Sequence, residues 1–201
     1  MEKLHKQLVL QNDIVTLRAV TLDDAPQLLR AGAFPEIWTH MSNELTTLER
    51  VESFIDTMDA ARQRGTAFSF VVIDNATNEI VGSTSYSDID TQHRRLEVGY
   101  TWYTPAVWRS AINTNCKYVL LQFAIEELEM QRVQIKTGHE NERSQRAIER
   151  LGATKEGILR NHMIQRNGKT RHTVMYSVTA EDWYTRVKAH FETTLLLPTH
   201  T

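Results

Sequence analysis

The chain has 201 residues, 41% hydrophobic and 24% charged, with a formal net charge of −2. Eight glycines and four prolines are about half the ordinary usage, which excludes collagen-like, linker-like and low-complexity architectures, and the apolar fraction excludes a wholly disordered chain. With 23 Lys and Arg against 25 Asp and Glu, no basic excess points to nucleic acid or an anionic membrane surface.

Leu8 to Val20 reads as a strand entering the fold, with a turn signal at Asn12-Asp13. Thr21 then caps a helix with acids in its first turn, running through Leu28 and Leu29. Thr47 caps a longer helix on which Val51, Phe54, Ile55 and Met58 recur at helical spacing, and Gly65 ends it. Phe68 to Ile73 and Ile80 to Ser87 form a hairpin around the polar turn 74–78. Arg95 to Tyr103 alternates, which places Leu96, Val98, Tyr100 and Trp102 on one face and Glu97, Gly99, Thr101 and Tyr103 on the other. Asn113 to Met130 is a helix, Arg132 to Thr137 a strand, and Asn141 caps a short helix that stops at Leu151-Gly152. Ala153 to Arg160 and Thr170 to Val178 flank an Asn167-Gly168 turn, Glu181 to Phe191 is a last helix, and Leu195 to Thr201 is a loose tail.

The antiparallel run followed by strand–helix–strand–helix predicts one α+β domain over 1–201, with its core at about 8–191, its tail at 192–201 and a parallel pair at mid-sheet. Such a transition is a natural ligand crevice. The N-terminus lacks the apolar core of a signal peptide, and the longest apolar stretch, near Tyr118 to Ile125, is far short of the ~20 residues of a membrane span. A cytoplasmic protein with no membrane partner is expected. The lone Cys116 cannot close an internal disulfide, and a packed core thiol is its simplest role.

No glycine-rich dinucleotide loop, phosphate-binding P-loop or nucleophile elbow is present. His139-Glu140 opens like a zinc-protease motif, but Arg143 stands where the second histidine belongs, so no metal is expected. The turn Trp108 to Thr114 leads into the long helix, whose first amides can hold phosphate. Phe34, Trp38, Trp102, Tyr103 and Trp108 divide between core and an acceptor cleft in a way the sequence leaves open.

From Asn141 the run N-x-x-S-x-x-x-x-x-x-L-G-A-x-x-E-G-x-x-R resembles the second acetyl-CoA motif of the GCN5-related N-acetyltransferase (GNAT) superfamily. It is similar in particular to the RimJ/RimL-like ribosomal-protein N-terminal acetyltransferase branch, with Glu97-Val98-Gly99-Tyr100, Trp108, Asn113-Thr114, Arg132-Val133 and Tyr176 in the expected order. One departure stands out: Ala111 and Asn113 occupy the glycine positions of that family's pyrophosphate loop.

The resemblance implies a mixed, mostly antiparallel twisted sheet, splayed at its centre and flanked by helices. It implies an acetyl-CoA-dependent N-acetyltransferase acting on a peptide N-terminus or a small-molecule amine, with a catalytically silent acyl-CoA-binding module as the alternative. Glu97 would relay a proton from the amine, and Ser144, or else Tyr176, would protonate the leaving thiolate. Acetyl-CoA would be held by Val98, Tyr100, Trp108, Arg109, Ser110, Ala111, Ile112, Asn113, Thr114, Asn141, Ser144 and Arg146. Oligomeric state is left open, dimers being the commonest soluble assembly.

Overall fold

A computed structural model describes residues 3–196. The entering segment is two strands, β1 (Val9–Gln11) and β2 (Val15–Ala19). The Asn12 side chain breaks the run by accepting from the Ile14 and Val15 amides, both at 3.0 Å. Thr21 and Asp24 form a capping box around a single 3-10 turn, and Arg18 clamps the Asp24 carboxylate with both guanidinium nitrogens, at 2.6 and 2.8 Å. Helix α1 (Ala25–Ala31) follows, and then a 3-10 segment, Pro35–His40, that carries no periodic signature in the sequence. Helix α2 (Leu48–Gln63) starts at Thr47, whose side chain accepts from the Arg50 amide, and Gly65 turns the chain away at φ 72°.

Strands β3 (Phe68–Asp74) and β4 (Glu79–Asp90) form the expected hairpin, and β5 (Arg95–Tyr103) returns beside β4. Helix α3 (Ile112–Gln122) runs on through a wider turn, Phe123–Glu127, closed by an i to i−5 bond from Leu128 N to Phe123 O. Strand β6 (Arg132–Gly138), α4 (Glu142–Arg150), β7 (Thr154–Ile164) and β8 (Thr170–Thr179) complete the sheet. The last helix comprises α5 (Ala180–Asp182) and α6 (Lys188–His190) joined by wide turns and reaches Leu195, four residues past its expected end. The expected tail beyond Leu196 lies outside the described residues.

The eight strands form one sheet in the order β1-β2-β3-β4-β5-β6-β8-β7, antiparallel except for β5 and β6. Its mixed, mostly antiparallel character and flanking helices match the α+β expectation. One core lies against α3, α4 and the C-terminal helix, with Phe70, Tyr86, Leu96, Val98, Leu120, Val133, Tyr176 and Trp183 at its centre. The other lies against α1 and α2 and includes Val71, Ile80, Trp38 and Trp102. Strand β7 is exposed at ten of its eleven positions and closes one edge of the sheet.

The expected alternation of β5 fails at its middle. Ser85 pairs with Gly99 but Ser83 pairs with Trp102, so β5 carries one extra residue in a bulge, and Tyr100 there has φ 49°. That left-handed backbone costs an L-residue about 1–2 kcal/mol. The extra residue reverses facing: Leu96 and Val98 pack in the first core, Trp102 in the second, and Tyr100 is exposed. The period of two was sound on each side of the bulge but could not be carried across it.

Candidate active site

The site begins where β5 and β6 part. They pair only over Arg95–Glu97 and Arg132–Gln134, and beyond those three residue pairs the strands diverge into a seam. The bulge at Tyr100 sits at the start of this seam, so the β5 backbone there is free of β6 and turned by a left-handed residue. Val98 is buried in the core, which leaves only its backbone to meet a ligand. The Tyr100 ring instead lines a cleft of about 1360 Å³ on the α2 side, together with Glu44, Arg50, Phe54, Asp88 and Arg166.

Glu97 occupies the last position of β5 that pairs with β6 and is 2% exposed. Its Oε2 lies 2.8 Å from Lys136 Nζ and accepts from Gln134 Nε2 at 3.0 Å. Both partners come from β6, at positions of equal parity, which puts them on the same face of the sheet. Its Oε1 makes no hydrogen bond among the described residues and lies over Gly99, where an added Cβ would approach it to 2.7 Å. A side chain at position 99 would therefore displace the one free carboxylate oxygen.

The mouth of the seam is the start of α3. Ala111 caps the helix at φ −70°, an ordinary conformation for alanine, so no glycine is required there. The left-handed position is Arg109, at φ 64°. Among the described residues the amides of Ala111, Asn113 and Thr114 have no acceptor, while that of Ile112 donates to Ser110 Oγ. Amides in a first helical turn point outward along the axis, where they attract an anion. Arg109 is exposed and has no carboxylate partner among the described residues, and Arg150 of α4 donates to Thr114 Oγ1 at 2.5 Å. The residues that would hold a pyrophosphate are thus backbone donors beside two guanidinium groups. Ile112 itself is buried in the core, and Arg146 is exposed and paired with Glu142 at 3.0 Å.

Helix α4 forms the other lip. Asn141 Oδ1 accepts from the Ser144 amide at 3.1 Å, which fixes the cap and leaves Nδ2 as a donor. Ser144 Oγ makes no hydrogen bond among the described residues, and its helical neighbour Ile148 is in the core. Tyr176 differs: it is fully buried, its hydroxyl donates to Glu149 Oε1 at 2.8 Å, and burial and that carboxylate push its pKa up. It projects from the sheet face opposite to that of Glu97. The guanidinium of Arg143 lies 4.2 Å from the Trp108 ring centroid, bridging the lips of the seam, and Trp108 Nε1 donates to Tyr103 O.

No local motif marks Gln134, Lys136 or Arg150, and Arg143 is marked in the sequence only as the residue that breaks a zinc motif. Alternation along β6 could have placed Gln134 and Lys136 on one face, but their meeting with Glu97 depends on the β5–β6 register. Cys116 is buried, and burial raises its thiol pKa. Among the described residues no cluster of His, Cys, Asp and Glu could hold a metal ion, and no helix is long and apolar enough to cross a membrane.

Comparison with known proteins bears on this geometry. An acetyltransferase (GNAT) domain model matches residues 15–154. The chain is 27% identical over 171 residues to the uncharacterized N-acetyltransferase YoaA of Bacillus subtilis, covering 85% of this chain and 96% of that one. It shares the fold of the microcin C7 self-immunity acetyltransferase MccE, solved with acetyl-CoA and AMP, with a TM-score of 0.79 at 23% identity over 89% of this chain and 99% of that one. It likewise shares the fold of RimJ from Mycobacterium smegmatis, solved with CoA-disulfide, with a TM-score of 0.78 at 19% identity over 92% of each chain. A seamed sheet, an open helix start at the seam's mouth and a match over most of the chain lead to one conclusion: this protein belongs to the GNAT acetyltransferase family and is an N-acetyltransferase.

Proposed function

We propose that the protein transfers the acetyl group of acetyl-CoA to a primary amine by direct attack. The observation that carries this reading is the seam itself, with three unpaired helix amides at its mouth and the free Oε1 of Glu97 at its inner end. MccE, with the same fold, is a protein solved with acetyl-CoA bound.

Acetyl-CoA supplies an activated acyl group as a thioester. The amides of Ala111, Asn113 and Thr114, with Arg109 and Arg150, hold its phosphates, while Asn141 Nδ2 and the unpaired backbone of β5 and β6 hold its arm. Trp108, Ser110 and Arg146 surround the entry. The amine enters from the α2-side cleft, loses a proton by way of water held at Glu97 Oε1, and forms the new C–N bond as the C–S bond breaks. Ser144 Oγ, which makes no hydrogen bond among the described residues, stabilises the departing sulfur by donating to it; Tyr176, committed to Glu149, takes no part.

Freeing a lysine amine of pKa ~10.4 near pH 7 costs about 4.6 kcal/mol, against about 1.4 kcal/mol for an α-amine near ~8. A carboxylate tied down on one side by Lys136 suits the smaller task, so a peptide N-terminus or a small-molecule amine whose pKa is likewise near ~8 is the acceptor class. Thiol release from acetyl-CoA with a panel of such amines, and acetylated product by mass spectrometry, tests the reading. Thermal stabilisation by acetyl-CoA without turnover on any amine would favour a silent binding module, and no stabilisation would defeat both.

A further inference from the structure

Lys117 on α3 is the one buried lysine among the described residues, 5% exposed, and it has no carboxylate partner. Its Nζ donates to Thr101 Oγ1 at 2.7 Å, and that oxygen also lies 2.8 Å from Thr84 Oγ1 on β4. Beside it stands the thiol of Cys116, itself next to the phenol of Tyr103, and burial raises the pKa of both. Burial lowers the Lys117 pKa to about 8. A charged amine enclosed with one hydroxyl acceptor is an expensive way to fill space, where leucine or methionine would pack without that cost.

The acceptor is what gives the arrangement a meaning. Thr101 immediately follows Tyr100, the left-handed residue of the β5 bulge, at the point where β5 has lost β6 as a partner. No strand on the seam side holds the bulge in place. Thr101 is instead gripped from α3 by Lys117 and from β4 by Thr84. We propose that Lys117 is a positioning residue for acetyl transfer: through Thr101 it fixes the bulge, and so sets the direction in which the unpaired β5 backbone at Val98–Thr101 meets the thioester arm. The proposal rests on the acetyl-CoA reading of the seam.

The experiment measures acetyl-CoA affinity by calorimetry for the wild type and the variants K117M, T101V, T101S and K117M/T101V, with melting temperature recorded for each. K117M and T101V are expected each to weaken acetyl-CoA binding at least about tenfold. The double variant should be no more than about twofold weaker than the poorer single, because Lys117 acts through the Thr101 hydroxyl that T101V already removes. T101S, which keeps the hydroxyl, should bind within about twofold of the wild type, and the Tyr100 amide resonance should move alike in K117M and T101V. Wild-type affinity for K117M with a lowered melting temperature would overturn the proposal, as would losses that multiply in the double variant. If K117M fails to fold, the contrast of T101V with T101S decides: equal affinities overturn the proposal. Failure of the wild type to bind acetyl-CoA would instead defeat the reading on which it rests.

Discussion

Lys136 Nζ stands 2.8 Å from Glu97 Oε2, and the other oxygen of that carboxylate makes no hydrogen bond among the described residues. The ion pair orients the side chain, and in the proposed reaction the other oxygen is the one that takes the proton the amine gives up. Glu97→Gln keeps the shape and removes the proton acceptor. Its kcat is expected to fall about 10²-fold, within the usual range for a positioned base. The loss should be greatest at the acid end of a pH 6–9 profile, where most of the amine is protonated. A wild-type profile would remove Glu97 from the mechanism.

Ser144 and Tyr176 differ in what their hydroxyls already do. Ser144→Ala should lower kcat about tenfold or more with little change in the KM for acetyl-CoA. Tyr176→Phe loses a buried hydrogen bond to Glu149, so it should cost about 1 kcal/mol of stability and leave kcat within about threefold. Steady-state kinetics and urea unfolding on both variants check this, and the reverse ranking would make Tyr176 the acid.

Arg109 combines a strained backbone with a guanidinium that has no carboxylate partner among the described residues. Arg109→Gly relieves about 1–2 kcal/mol of left-handed strain, partly offset by the entropy glycine loses on folding. The melting temperature should hold or rise slightly while acetyl-CoA binding weakens several-fold, and the wild type should show the steeper salt dependence of affinity. Calorimetry at two salt concentrations distinguishes this from a purely conformational role.

The Arg18–Asp24 pair gives stability a pH dependence. Burial alone would raise the Asp24 pKa, but hydrogen bonds from Arg18 and Thr21 outweigh it and hold the value below that of a free carboxyl. A depressed carboxyl contributes stability above its unfolded value, near ~3.9, and loses it as pH falls through the folded value. Asp24→Asn should therefore destabilise at pH 7, by about 2 kcal/mol given the partial exposure of Arg18, and the difference should shrink below about pH 4. A difference constant with pH would show that charge is not involved.

Local signals were legible in the sequence wherever one residue does one local job. Thr47 and Asn141 cap helices as read, Gly65 and Gly152 turn left-handed where helices end, and β5 spans Arg95–Tyr103 as expected. What the sequence hid depends on register between distant strands. Nothing in the segment around Tyr100 announces a bulge, because the extra residue exists only relative to β4. The grip of Lys136 on Glu97, likewise, follows from three residue pairs that no local pattern encodes.

Those three pairs have a mechanical consequence. They are all the strand pairing that stitches the five-stranded half of the sheet to the three-stranded half. The joint is carried instead by α3 and the core beneath it, where Tyr86 of one half donates to Leu120 O and Val133 and Tyr176 of the other pack alongside. A slot for a long, thin molecule is thus cut while the chain folds. Admitting one requires no ladder bond to be broken, so the free energy of parting two paired strands is not charged against affinity.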